Sequence, residues 1–135
     1  MTARTLLIVL LRLTGLAGLC ALVFVFCPFA WMAAIHERIG MGPLEYTPLL
    51  SYLTRTLSAM YAMMGGFLWL FSSDLPRYRP ALRLFAGIAI AGGLGVTWLD
   101  AVLGLPALWT WTEGPLTVLL GVMVLTLLSR LPRRR

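Results

Sequence analysis

The sequence predicts an all-α polytopic membrane protein, a bundle of four transmembrane helices with a short interfacial helix after the first span. Of the 135 residues, 60 % are hydrophobic and only 12 % are charged, whereas a soluble domain has about 45–50 % apolar and about 25 % charged residues. The hydrophobic share is about 81 side chains, which matches what four spans of about 20 residues require. We therefore expect residues 1–135 to form one membrane domain without a soluble core.

The first apolar run, about residues 5–27, is predicted to be a retained span and not a cleaved secretory signal. Arg12 would lie inside the apolar region of such a signal, and no small-residue cleavage pattern follows it. Pro28 is expected to kink or end this helix. Residues from about 29 to 39 are then predicted to form the interfacial helix, which a stretch rich in Gly and Pro at 40–43 ends.

Three further apolar runs, about residues 49–71, 81–103 and 113–131, complete the four predicted spans. The connector at 72–80 is short and rich in proline, so we expect a tight turn that makes the second and third spans neighbours. Thr112 is the predicted N-cap of the last span.

The basic residues are all arginines, and they outnumber the acidic residues by 11 to 5. Most of them lie at the ends of the apolar runs and not on a solvated face, which argues against a nucleic-acid partner. Because most of them fall at one end of the spans, the positive-inside rule predicts a bacterial inner-membrane protein with both termini in the cytoplasm. Bound lipids are expected, with anionic headgroups contacting the arginines on that side. These arginines are Arg77, Arg79, Arg83, Arg130, Arg133, Arg134 and Arg135.

Two stripes of small residues are predicted to bring the second and third spans into close contact. In lipid, small side chains let two helix backbones approach, and packing of this kind drives association. A pore lining is the alternative reading of the same pattern. The stripes recur every four residues: Ser58, Ala62 and Gly66 in the second span, and Gly87, Ala91 and Gly95 in the third.

Charged residues inside the predicted spans require a partner or a role, since each costs about 2.5–3.5 kcal/mol to insert. Arg55 and Asp100 lie near the outer ends of adjacent spans, where they are expected to form a structural ion pair. The alternative is a gated site for a small anion or an anionic headgroup. Nearer the inner face, Arg12 is expected to reach the headgroups or to pair with Asp74.

The chain shows no pattern of catalytic or metal-binding residues, so we predict no enzyme activity, no cofactor and no metal. His36 is the single histidine, and one histidine does not complete a zinc or haem site. Cys20 and Cys27 are seven residues apart on one helix, about 10.5 Å by rise, which is too far for a disulfide.

The stretch from His36 to Pro80 resembles a group of small bacterial four-span inner-membrane proteins. The resemblance covers about a third of the chain. It implies a fold of this class and no particular activity. The residues that carry it are His36, Gly40, Gly42, Pro43, Tyr52, Arg55, Ser58, Tyr61, Gly65, Asp74, Arg77, Tyr78, Arg79 and Pro80.

The expected role is that of a non-catalytic accessory or scaffold subunit, since the predicted spans leave almost no residues for a reaction outside the membrane. Its partners would be other membrane-protein subunits, and energy-transducing complexes are the expected hosts. The alternative is a small-solute or ion transporter or channel that acts as a homo-oligomer, with Arg55 and Asp100 near its path.

Overall fold

A computed structural model describes residues 2–132, and within that range the chain contains helices and no strand. A single residue, Ala21, separates the first two helices. The helices in chain order are α1 (Ala3–Cys20), α2 (Leu22–Phe26), α3 (Phe29–Arg38), α4 (Pro48–Ser73), α5 (Arg79–Leu103) and α6 (Ala107–Ser129).

Three helical segments are long and apolar enough to cross a membrane: Ala3–Phe26, Arg79–Leu103 and Ala107–Ser129. They correspond to the first, third and fourth predicted spans. The second predicted span forms α4, which has 26 residues but is not among these three. Its first half carries Arg55 among several hydroxyl side chains.

The start of α6 corrects one prediction from the sequence. Glu113 was expected to open the last span behind an N-cap at Thr112, but α6 begins at Ala107. Thr112 lies inside the helix, where its hydroxyl donates a hydrogen bond to the Leu108 carbonyl at 2.6 Å. The residue at the N-cap is Pro106, and a proline disfavours helical backbone at the residue before it. Proline therefore marks this helix start, and the hydroxyl of Thr112 does not.

Two helices end in the same way, at a glycine with left-handed backbone. Gly104 follows α5 with φ 65°, and the Leu105 N–H bonds back to the Asp100 carbonyl at 3.0 Å. Gly40 follows α3 with φ 84°. Glycine adopts such angles without the steric penalty that a Cβ brings.

The chain divides into two compact units. The N-terminal unit is Leu10–Leu70, and the C-terminal unit is Phe71 onward together with the start of the chain up to Val9. The buried apolar side chains of the N-terminal unit are Leu11, Cys27, Met32, Ala62 and Leu68. Those of the C-terminal unit include Leu7, Leu75, Leu82, Ala86, Val124 and Leu128.

Many large apolar side chains remain exposed on every long helix, among them Leu13, Leu57, Ile88 and Leu119. A soluble monomer rarely exposes an apolar surface of this extent. The exposed surface therefore agrees with the three membrane-length segments and with the membrane class that the composition predicts.

Candidate functional site

Arg55 binds the backbone where the first apolar segment ends. Its Nη2 donates to the Cys27 carbonyl at 3.0 Å, its Nη1 donates to the Val25 carbonyl, and its Nε donates to Ser51 Oγ at 3.3 Å. The Val25 carbonyl has no helical partner because α2 ends at Phe26, and the last four carbonyls of a helix have none. The half-buried guanidinium of Arg55 thus satisfies the end of this segment.

Arg79 does the same for the end of α6. Its Nη2 donates to the Leu128 carbonyl at 2.6 Å and to the Leu131 carbonyl at 3.0 Å. Its Nη1 donates to the Pro132 carbonyl at 3.0 Å. The side chain of Arg79 is half-buried over the end of this neighbouring helix. The headgroup contact that the sequence predicted for Arg79 stays a prediction.

Arg55 and Arg79 bind helix-end carbonyls by the same chemistry. A guanidinium carries five N–H donors in a fixed planar fork, and a positive charge near a helix C-terminus interacts favourably with the helix dipole. One arginine can therefore satisfy several end carbonyls at once, which matters most where water cannot reach them. Among the described residues, each compact unit contains such an arginine cap.

Close backbone contact in the N-terminal unit is made by glycines that the sequence stripes did not include. A Cβ added at Gly15 of α1 would lie 2.9 Å from the Gly65 carbonyl oxygen of α4. A Cβ at Gly18 would lie 2.9 Å from the Tyr61 carbonyl oxygen. Real Cβ atoms do not come this close, so only glycine fits at these positions.

In the C-terminal unit, α5 and α6 meet in the same way. A Cβ at Gly93 would lie 2.8 Å from the Gly114 carbonyl oxygen, and one at Gly121 would lie 2.7 Å from the Ala86 carbonyl oxygen. Thr97 lies against Gly114, and its hydroxyl donates to the Gly93 carbonyl at 2.8 Å. The two helices are therefore antiparallel and nearly backbone to backbone.

The residues of the two predicted stripes differ in burial within the described chain. Ala62 is buried and Ser58 is half-buried. A Cβ at Gly66, Gly87 or Gly95 meets nothing within 4 Å, and Ala91 is exposed. The predicted contact joins α4 and α5, which belong to different compact units, so it stays a prediction. We call Gly87, Ala91 and Gly95 the open face of α5.

Asp100 is buried in α5, with 4 % of its surface exposed. Within the described residues its Oδ2 has no hydrogen-bond partner. Arg55 and Asp100 belong to different compact units, and the hydrogen bonds that the structure gives Arg55 go to the backbone and to Ser51. The predicted pairing of the two therefore stays a prediction.

The other charged residues that the sequence singled out have the following positions. The Arg12 guanidinium carbon lies 5.7 Å from the centre of the Trp69 ring, and the Asp74 carboxylate accepts the Arg77 N–H at 3.2 Å. Arg12 and Asp74 belong to different units, so their pairing also stays a prediction. The exposed predicted headgroup residues are Arg77, Arg83 and Arg130, whereas Arg133, Arg134 and Arg135 lie outside the described residues.

A different spacing in the sequence carried the signal for the α5–α6 contact. Ala86 and Gly93 are seven residues apart on α5, and Gly114 and Gly121 are seven apart on α6. Seven residues are two helical turns, a repeat that keeps positions on one face along a gently supercoiled pair. The predicted stripe Gly87, Ala91 and Gly95, with its spacing of four, lies on the opposite side of α5.

Comparison with known proteins adds no relative: no family model, no curated protein and no solved structure matches this chain.

Proposed function

We propose that this chain is a four-span integral membrane protein and a non-catalytic accessory or scaffold subunit of a larger membrane complex. The observation that carries this proposal is the open face of α5. One side of α5 is occupied by α6 at Gly93, whereas Gly87 and Gly95 on the other side leave open space where a Cβ would stand. In lipid, such a face lets the backbone of another helix approach closely.

The fourth span in this proposal is α4. Its 26 residues correspond to about 39 Å, longer than the roughly 30 Å of a hydrocarbon core. Arg55 is the one charged side chain of α4, and a charge inside a span needs a partner. That charge is hydrogen-bonded to the carbonyls of Val25 and Cys27, which supports a position inside the membrane.

The orientation proposed for this protein follows from the charges at the two ends of the α5–α6 pair. The cap formed by Arg79 places the start of α5 beside the end of α6, and Arg83 and Arg130 lie at that same end. Asp100 and Glu113 lie toward the other end. The positive-inside rule then puts the arginine end in the cytoplasm, among anionic headgroups, in a bacterial inner membrane.

The non-catalytic role is supported by what the polar side chains do. Arg55 and Arg79 bind helix-end carbonyls, and Thr97, Thr112 and Thr117 bond to carbonyls of their own helices. Their hydrogen bonds serve the fold. Such side chains suit a protein whose task is to hold a shape beside a larger partner.

The test is purification in a mild detergent followed by native mass spectrometry. We expect the unmodified protein to retain larger membrane subunits, such as those of an energy-transducing complex, and Gly95→Leu to lose them. The matched control is Gly92→Leu, because Gly92 also has open space around it but points about 100° away from the centre of the open face. Equal retention by both variants would contradict the proposal.

The second candidate function is a small-solute or ion transporter or channel that acts as a homo-oligomer. Buried Asp100, with an Oδ2 that lacks a partner among the described residues, favours it, since ionisable residues inside membranes often mark a pathway. In the same experiment this candidate predicts a homo-oligomer without larger subunits. It also predicts that Asp100→Asn folds normally and loses flux in vesicles.

A further inference from the structure

We propose that α3 lies flat in the membrane interface on the outer side, with Trp31, Ile35 and Ile39 bound at the boundary between phospholipid headgroups and acyl chains. We call these three residues the α3 stripe. This inference rests on the membrane placement proposed above. It names a lipid surface as the partner of the exposed α3 stripe.

The chain itself brings α3 to the membrane boundary. The first membrane-length segment ends at Phe26 and α3 begins at Phe29, so only Cys27 and Pro28 separate them. With 10 residues, α3 is about 15 Å long, half of what a span needs. A helix that is too short to cross and begins where a span ends remains near the surface.

The face that α3 turns away from the protein is apolar. Trp31 is 59 % exposed, Ile35 43 % and Ile39 37 %. Trp31 and Ile35 are one helical turn apart in α3, and Ile39, the C-cap residue, follows four positions later. Met32, which is buried, and His36, which is half-buried, lie about 60° and 100° around the helix from Ile35 and face the protein. Arg38 is exposed beside the stripe, and Glu37 is exposed about 160° away from Ile35.

Contacts at three places hold α3 and its flanking backbone, and they fix the orientation of the α3 stripe. Arg55 binds the backbone on the entry side at Val25 and Cys27. After α3 the chain turns back along it: His36 Nδ1 bonds to the Gly42 carbonyl at 2.9 Å, and the rings of Phe29 and Tyr46 meet edge to face at 5.2 Å.

Lipid fits the α3 stripe better than a protein partner does. The stripe is narrow, with three side chains. Phe26, at the end of the preceding membrane-length segment, is also apolar and is 79 % exposed. Its composition is that of an interface: tryptophan favours the headgroup level, and Arg38 reaches phosphate groups while its stem stays on apolar surface. Such faces bind at the boundary of headgroups and acyl chains.

The test uses spin labels at matched positions in vesicles of phosphatidylethanolamine and phosphatidylglycerol. In a background with Cys20→Ser and Cys27→Ala, the labelled variants are Ile35→Cys, Glu37→Cys and Leu119→Cys. We expect the Ile35 label to be several-fold more sensitive to oxygen, which concentrates in lipid, than to a water-soluble nickel chelate. The Glu37 label should show the reverse preference.

Two outcomes would overturn the proposal without touching the membrane placement. If both α3 labels respond to nickel while the Leu119 label in the middle of α6 responds to oxygen, α3 lies in water. If the Ile35 label responds to neither reagent, protein covers the stripe. A nickel response at Leu119 would overturn the stripe proposal and the membrane placement together.

A second measurement keeps the native cysteines, because replacing buried Cys27 disturbs a packed position. Brominated phospholipids quench tryptophan fluorescence on contact. The unmodified protein should show more quenching by lipids brominated near the headgroup than the Trp31→Phe variant does. An equal quenched fraction in both proteins would mean that Trp31 does not touch lipid, and would overturn the proposal.

Discussion

At the scale of single residues, the arginines in the described chain have two different tasks that composition does not separate. Arg79 and Arg83 are one turn apart at the start of α5, yet Arg79 is half-buried over the end of α6 and Arg83 is exposed. The first is an internal hydrogen-bond donor to backbone. The second remains available for a lipid headgroup.

This difference predicts unequal effects of the same substitution. Arg79→Leu should lower the free energy of unfolding by about 1–3 kcal/mol, because the partly buried carbonyls at the end of α6 lose a charged hydrogen-bond donor. Arg83→Leu should change it by less than about 0.5 kcal/mol, as is usual for surface positions. The measurement is thermal unfolding in mild detergent. Equal effects would mean that the Arg79 cap contributes no stability.

Arg55 is expected to behave like Arg79. Arg55→Leu should reduce folded yield and unfolding temperature, since the carbonyls of Val25 and Cys27 lose their donors, and the exposed Arg38→Leu is the control. Arg55→Lys should recover only part of the loss, because an ammonium lacks the planar fork that reaches two carbonyls at once.

The predicted Arg55–Asp100 pair is tested in the same assay with a double variant. Breaking a buried pair by removing one partner costs about 3–5 kcal/mol, whereas replacing both partners with apolar residues is often near neutral. If the two residues are partners, Arg55→Leu combined with Asp100→Leu should recover much of the stability that each single variant loses. If the double variant instead loses as much stability as the two single variants together, the pairing is contradicted.

At the scale of helices, the glycines of neighbouring positions are not equivalent, and two adjacent pairs show this. Gly65 lies against the backbone of α1 while Gly66 has open space around it, and Gly93 lies against α6 while Gly92 does not. The difference comes from which face of each helix meets another helix.

A single methyl group at these positions is therefore a sufficient test. Gly65→Ala and Gly93→Ala should destabilise the protein by about 1–3 kcal/mol or more, because the added Cβ meets backbone that has little room to move. Gly66→Ala and Gly92→Ala should be neutral or slightly stabilising, as alanine favours the helix over glycine. The measurement is the unfolding temperature of each of the four variants. Similar temperatures for the variants at Gly65 and Gly66, and for those at Gly93 and Gly92, would contradict the helix contacts described.

The sequence predicted the elements better than their contacts. Runs of apolar residues located each long helix, because burial in lipid depends on composition over about 20 residues. Helix ends were predicted where Pro or Gly constrains the backbone, as at Pro28 and Gly104. The start of α6 was missed because the hydroxyl of Thr112 suits an N-cap and a helix interior equally well.

The contacts were harder to predict, since a spacing of four and a spacing of seven both occur among the small residues of α5. The periodicity alone does not say which of the two faces another helix within the same chain. The arginine caps were also missed, because their acceptors are backbone carbonyls, which every residue carries and no side-chain pattern reveals.

At the scale of the whole molecule, the charge distribution makes a prediction about orientation. A reporter that is active only in the cytoplasm should work when fused after Arg135, and one that is active only outside should work when fused after Gly104, between α5 and α6. Activity of the same reporter type at both positions would contradict the proposed crossing of the membrane by α6.

The cap that Arg79 places on α6 also has a consequence for biosynthesis. Its acceptors lie 49 to 53 residues later in the chain, and a ribosome adding about 5–20 residues per second reaches them roughly 3–10 s after Arg79. During that interval the Arg79 guanidinium has no helix-end carbonyls to bind, and the glycine surface of α5 has no α6 to pack against. Helix α5 thus becomes fully stable only once its successor has been made, and a ribosome that stalls before Leu128 would leave an unfinished hairpin for the quality-control machinery to remove.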